Sequence, residues 1–336
     1  MSLTSDLKTN GSFVRTFVDA HFAKLSDVSR ECNRELRPFC SVENPHAHKV
    51  VSMLVGTAID YRIRGYFRRG VHRANMVQKG IFSLQRIESL HAEVAGKSGK
   101  PIIKLVKNPW FSRRKKRVAE RLLASFQRFA ANVKLRRKLD PRDEERMCRY
   151  CILFAYLDWI GRAPFGNSAT ERMILLGQTT IAHMLRGIDP SIVADVVRLS
   201  TLFAERQHAL FHNARNVTIG RSLEGSADVF GGADFDLIIN GCLLDFKASV
   251  KARISTDILR QLVGYWLLDY SDKYKIETVG VILMRHGQLL KFDIRNLLST
   301  AVPAPSLRAE FRDGLRRDTA ERKARYDAEF EARLGR

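Results

Sequence analysis

The chain has 336 residues, 45% of them hydrophobic, enough for one large core or two ordinary ones. Fifty-seven Lys and Arg against 36 Asp and Glu leave a formal charge of +21, which predicts attraction to polyanions, nucleic acid first, but no particular chemistry. Five cysteines argue against a disulfide framework, the polar start MSLTSDLKTNGSF lacks an apolar signal segment, and no run is long enough to span a bilayer, so the expected location is cytoplasmic.

Taken in order, residues 1–100 read as helices. The clearest is 50–69, with Val51, Leu54, Val55, Ala58, Ile59 and Ile63 at helical spacing. Residues 97–101 read as a turn or linker. Residues 101–215 read as a basic insertion of helices near 113–138, 142–161, 169–186 and 190–213. Its breaks fall at Asp140-Pro141, Gly161 to Gly166 and Gly187 to Pro190. Within it, Arg113, Arg114, Lys115, Lys116 and Arg117 open a stretch in which Glu120 is the only acid between 107 and 139. That pattern suits sequence-blind phosphate contact; its bland counterpart is a solvated helical face. Trp110, Phe111, Phe126 and Phe129 stack on bases or, as helical spacing favours, fill a core. Cys148 and Cys151 form a lone C-x-x-C, read as thiols rather than metal ligands. His46 with His48, and His208 with His212, lack a visible third ligand and read as surface or core residues.

From 216 to 300 the texture changes. Glycines cluster, and the strand-length runs DLIIN, CLLDF and TVGVILMR appear, with a helix at 255–270 between the second and third. Strand, strand, helix, strand predicts an α/β fold with a mixed sheet and helical cover. Residues 301–336 read as a C-terminal helix packed by one face.

Asn240-Gly241 predicts a two-residue type I′ hairpin, because that turn needs positive φ at both positions. The register then sets Ile239 opposite Cys242, Asp236 opposite Asp245 and Asp234 opposite Lys247. Alternation sends Phe235, Leu237, Ile239, Cys242, Leu244 and Phe246 to one face, and Asp234, Asp236, Asp245 and Lys247 to the other. Two carboxylates roughly 5 Å apart repel, and a hard divalent cation relieves them. The bland alternative is a solvated hairpin edge with an Asp234–Lys247 ion pair.

These residues resemble the PD-(D/E)xK nuclease superfamily, RecB-like branch. Its pattern is an Asp ending one strand, then Asp or Glu, any residue, and Lys on the next. Here it is met by Asp236 and Asp245-Phe246-Lys247, with Phe235 in place of the usual proline. Gln261 and Tyr265 match the Gln and Tyr four apart on the family's following helix, and Gly56 to Asp60 resembles an upstream helix motif.

The resemblance implies a restriction-endonuclease-like mixed-sheet core flanked by helices, interrupted by the helical insertion. It implies Mg²⁺, with Mn²⁺ able to substitute, held by Asp236, Asp245 and the carbonyl of Phe246. Lys247 would position or deprotonate the attacking water, and Gln261 would orient it. Tyr265 touches the backbone or packs in the core. Asp234 tunes Lys247. Asp60 joins the site or merely pairs with Arg64. Arg62 and Arg64 would follow the nucleic-acid strand, DNA rather than RNA. The expected activity is phosphodiester hydrolysis. The alternatives are a non-catalytic nucleic-acid-binding module and a partner-dependent nuclease subunit of a defence or repair system.

Overall fold

The computed structural model describes residues 2–36, 42–46, 48–67, 75–88, 90–95, 102–107, 118–133, 139–163, 169, 172–173, 180–220, 222–229, 232–300 and 302–334. In chain order, α1 (Leu3–Lys8), α2 (Phe13–His21) and α3 (Leu25–Glu35) precede α4 (Lys49–Phe67) and α5 (Asn75–Glu88). A hairpin of β1 (Leu90–Ala95) and β2 (Ile102–Lys107) follows. Next come α6 (Val118–Asn132), α7 (Pro141–Arg162), α8 (Ile181–Arg186), α9 (Pro190–Arg206) and α10 (His208–His212). The chain continues through β3 (Val217–Ile219), β4 (Leu237–Ile239), β5 (Cys242–Lys247), α11 (Thr256–Leu267), β6 (Thr278–Leu283), β7 (Gln288–Asp293), α12 (Ile294–Leu297) and α13 (Ala304–Leu334). No helix among the described residues is long and apolar enough to cross a membrane.

Two compact units divide the chain, one of residues 1–41 and 206–336, the other of 42–205. The first holds a mixed sheet ordered β3-β4-β5-β6-β7, antiparallel except for the parallel β5–β6 pair. A parallel pair needs a crossover, and α11 supplies it. Ser255 caps α11, its side chain accepting the Ile258 N–H at 3.3 Å. One face of α11 presents Leu259, Leu262, Val263 and Trp266 to the same buried cluster as Leu243, Val279 and Val281 of the sheet. Its outer surface is covered by α1, α2 and α3.

The N-terminal residues are therefore part of the sheet unit. Asn33 of α3 donates to the Ile254 carbonyl at 2.8 Å and accepts the Ile254 N–H at 2.9 Å, holding the segment that leads into α11. This corrects the expected grouping of residues 1–100: residues 1–41 join the sheet, whereas α4 belongs to the other unit. The sheet also has two strands that the reading of the sequence omitted. β3 is only three residues long, and β7 is partly exposed along its length, so neither carries a strong apolar signal.

The second unit is built around α7, which is buried almost throughout its middle, from Met147 to Leu157. Asp140 caps it by accepting the N–H groups of Arg142 and Asp143, both at 3.0 Å, and Pro141 takes the first helical position, where its missing N–H costs nothing. Helix α5 crosses α7 where glycines meet. A Cβ on Gly80 would lie 1.8 Å from the Leu157 carbonyl oxygen, and one on Gly161 would lie 2.5 Å from that of Met76. Residues 101–215 were expected to be all helical, but β2 falls inside that span. Phe126 and Phe129 are buried against Tyr150, which favours the core reading for both. Trp110 and Phe111 lie outside the described residues.

Candidate active site

The hairpin forms as its turn residues dictate. Asn240 and Gly241 have φ of 49° and 76°, and the pairs Ile239–Cys242, Ile238–Leu243 and Leu237–Leu244 follow. The Asn240 side chain ties the turn down, accepting the N–H groups of Arg215 and Asn216 and donating to the Asn213 carbonyl. Beyond Leu237 the β4–β5 ladder stops, while β5 continues beside β6 as far as Lys247. Among the described residues, β5 thus makes no ladder pair with β4 beyond Leu244.

Asp236 occupies the β5 edge beyond that point. Its backbone leaves the strand, and its Oδ2 accepts the Phe246 N–H at 2.9 Å. In a strand the N–H and C=O of one residue point to the same side, so the Phe246 carbonyl is aimed at the Asp236 edge as well. Asp245 and Lys247, two apart on β5, share the face covered by α11. Lys247 Nζ lies 2.7 Å from Asp245 Oδ2, with the Asp245 side chain 7% and the Lys247 side chain 28% exposed. The contact is an ion pair without hydrogen-bond alignment, since that buried oxygen has no aligned donor. Lys247 also donates to Gln261 Oε1 at 3.2 Å, and Gln261 Nε2 donates to the Tyr265 hydroxyl at 3.0 Å. The spacing of four places Gln261 and Tyr265 one turn apart on α11.

The site's electrostatics follow from burial and these partners. Burial pulls the Lys247 ammonium down, but Asp245 and then Asp236 outweigh it, and the group sits above the ordinary lysine range. Burial first, then Asp245 and Asp236, push the Tyr265 hydroxyl well above its usual range, so it stays neutral. The repulsion expected between Asp236 and Asp245 is answered within the protein, by the Phe246 N–H on one carboxylate and the Lys247 ammonium on the other.

Several expected partners are placed differently. Asp234 pairs with Ser222, not Lys247: a β-bridge joins them, and the Ser222 hydroxyl donates to Asp234 at 2.9 Å. Phe235 packs in the cluster of Ile238 and Leu243 instead of on the Leu237 face, because alternation breaks at the bend that carries Asp236. Asp60 makes a two-bond contact with Arg64 one helical turn on, the pairing that was one of the two readings of Asp60. Arg62 is fully buried, its Nε and Nη2 each donating to Glu144 at 2.7 Å and its guanidinium 3.8 Å from the Tyr66 ring centroid. A surface role in holding nucleic acid is therefore corrected for Arg62. Arg113, Arg114, Lys115, Lys116 and Arg117 lie outside the described residues. Cys148 and Cys151 are buried, and His46 sits beside Asp195 at 3.4 Å.

The reading of the sequence also missed Arg285 and His286, which close the far end of β6. Arg285 donates to the Ala248 carbonyl at 3.0 Å, and His286 Nε2 lies 2.9 Å from the Val250 carbonyl. Both grip the loop that leaves Lys247. Their only signal was position, just past a strand parallel to the one carrying Lys247.

A metal would find hard oxygen donors here: two carboxylates, one with a buried oxygen lacking an aligned hydrogen bond, and a backbone carbonyl aimed at the same edge. The set suits Mg²⁺ or Mn²⁺ better than zinc, which prefers nitrogen and sulfur. Among the described residues, no group of three or more His, Cys, Asp or Glu is arranged to hold a metal, so the carbonyl and water would complete the shell. No family model matches the chain, and no curated protein or solved structure matches it significantly.

Proposed function

We propose that the sheet unit is a metal-dependent nuclease of the PD-(D/E)xK type, with a restriction-endonuclease-like core, that hydrolyses phosphodiester bonds of DNA. The observation that carries this reading is the convergence of Asp236, Asp245, Lys247 and Gln261 where the β4–β5 ladder ends. The order of the sheet, a hairpin followed by a helical crossover to a parallel strand, agrees with it.

Asp236, Asp245 and the Phe246 carbonyl would hold Mg²⁺, which when bound polarises the scissile phosphate and acidifies a water. Lys247 carries its proton at neutral pH, because its carboxylate neighbours hold it above the ordinary lysine range. Beside a bound cation, Lys247 would stabilise the charge developing on the phosphate and position or deprotonate the attacking water. The Gln261 amide, held by the Tyr265 hydroxyl, accepts from the Lys247 ammonium and would orient the attacking water.

One feature favours a second reading, a binding module without turnover: the Lys247 ammonium supplies a counter-charge to Asp245 from within the protein. A single set of measurements separates the two. Mn²⁺ binding is followed by calorimetry, and cleavage of plasmid, linear and single-stranded DNA is followed with Mg²⁺ or EDTA, for wild type, Lys247→Met and Asp245→Asn. The nuclease reading expects Asp245→Asn to lose the metal. It expects Lys247→Met to keep or tighten the metal, because the competing ammonium is gone, while cleavage falls by roughly 10²–10⁴-fold. Wild-type protein that binds no Mn²⁺ and nicks no substrate would leave the binding module.

A further inference from the structure

In the helical unit, a cavity of about 310 Å³ opens between the C-terminal half of α6 and the first turns of α7. Its lining is polar and cationic: Arg128 and Arg146 from the two helices, with Asn132, Ser125 and the single carboxylate of Asp143. Neither guanidinium forms a salt bridge with a described carboxylate. Arg146 is steered instead by an aromatic surface, its guanidinium lying 5.1 Å from the centroid of Phe129. Phe129 is itself fixed by stacking on Tyr150, with ring centroids 5.5 Å apart. Ser125 is likewise fixed, 2.7 Å from the Tyr150 hydroxyl, and Asn132 is anchored through the Arg128 carbonyl at 2.9 Å.

We propose that this cavity is a phosphate-group site, taking the phosphate of a nucleic-acid backbone between the Arg128 and Arg146 guanidinia. A guanidinium presents several N–H donors in a fixed fork that fits phosphate oxygens, and two forks facing one cavity from different helices form a clamp. The Asn132 amide adds a neutral donor. One carboxylate against two guanidinia leaves the cavity positive. The volume admits a phosphate with an attached sugar, and the Asp143 carboxylate then has a sugar hydroxyl to accept from.

The claim is independent of cleavage, because it is tested without metal. Anisotropy of fluorescein-labelled single- and double-stranded DNA is measured in EDTA across a salt series. Arg128→Ala and Arg146→Ala are each expected to weaken binding about 3–10-fold at low salt and to reduce the slope of log K against log salt by about 0.7–0.9. Asp143→Asn is expected to tighten it. Arg317→Ala, which removes an exposed arginine from the other unit, is the control and should leave the slope unchanged. A second arm follows thermal stability with inorganic phosphate and with a nucleoside monophosphate. Loss of that stabilisation in the Arg128→Ala/Arg146→Ala double variant, with DNA binding intact, would assign the site to a free phosphate compound rather than a strand. A folded double variant that matches wild type in both arms overturns the proposal.

Discussion

Between Asp245 and Gln261 the Lys247 ammonium has a charged partner on one side and an amide on the other. Its burial alone would favour the neutral amine, and the two nearby carboxylates reverse that preference. The consequence for stability has a definite sign. A lysine whose folded pKa is raised contributes stability that is complete below the unfolded value, about 10.4, and is lost as pH rises through the higher folded value. Lys247→Met should therefore be less stable than wild type by about 1–3 kcal/mol near neutrality, since Asp245 is left buried without its counter-charge. The gap should stay level to about pH 10 and then close as wild type loses the same interaction. Urea titrations in EDTA across this range provide the test; a gap unchanged at higher pH would mean that the ion pair does not set it. The same residue shows what a sequence conveys at this scale. Hairpin register brought Asp236, Asp245 and Lys247 forward and the family resemblance added Gln261, but the partner of Lys247 was not legible. Strand register alone pointed to Asp234, whereas the bend at Asp236 hands that residue to Ser222.

The β4–β5 hairpin is the element on which the site stands, and its turn leaves little freedom. Gly241 has φ of 76°, and a Cβ there would lie 2.7 Å from the Lys275 carbonyl oxygen. Gly241→Ala combines an unfavourable backbone region with a collision against main chain, and is expected to cost on the order of 2–4 kcal/mol. Asn240→Ala should cost about 1–2 kcal/mol by a different route, through the lost bonds to Arg215, Asn216 and Asn213. Chemical denaturation reads both. A Gly241→Ala protein as stable as wild type would show that the turn relaxes without effect on the register. This hairpin was legible because its information is local: two turn residues and a period of two. The neighbouring β3 and β7 were not legible, because short and edge strands take their definition from the strands they pair with.

At the scale of the whole molecule, each unit solves its own packing problem. In the helical unit, α5 and α7 approach so closely that Gly80 faces the Leu157 carbonyl oxygen directly. Gly80→Ala must push the helices apart, which is expected to cost about 1–3 kcal/mol or more. In the sheet unit, Gly314 of α13 faces the Phe13 ring, where a Cβ would lie 2.2 Å away. That ring is the movable end of a side chain, so Gly314→Ala is expected to cost less than Gly80→Ala. Amide hydrogen exchange distinguishes the two effects: Gly80→Ala should lower protection in α5 and α7, and Gly314→Ala in α2 and α13. Equal protection loss in both units from either substitution would contradict packing that is settled unit by unit.

The order of residues determined by itself whatever depends on near neighbours: the turn at Asn240-Gly241, the acidic and basic groups around it, the spacing of Gln261 and Tyr265, the break at Asp140-Pro141 and the helices near 50–69, 142–161 and 255–270. Tertiary structure alone decided which distant groups meet. It took Arg62 from an expected surface into the core against Glu144, gave Asp234 to Ser222, and brought residues 1–41 onto α11. The physical reason is that a charge or an apolar face states a need, for a counter-ion or for burial, without stating who will meet it. That choice is made by packing among segments far apart in the chain.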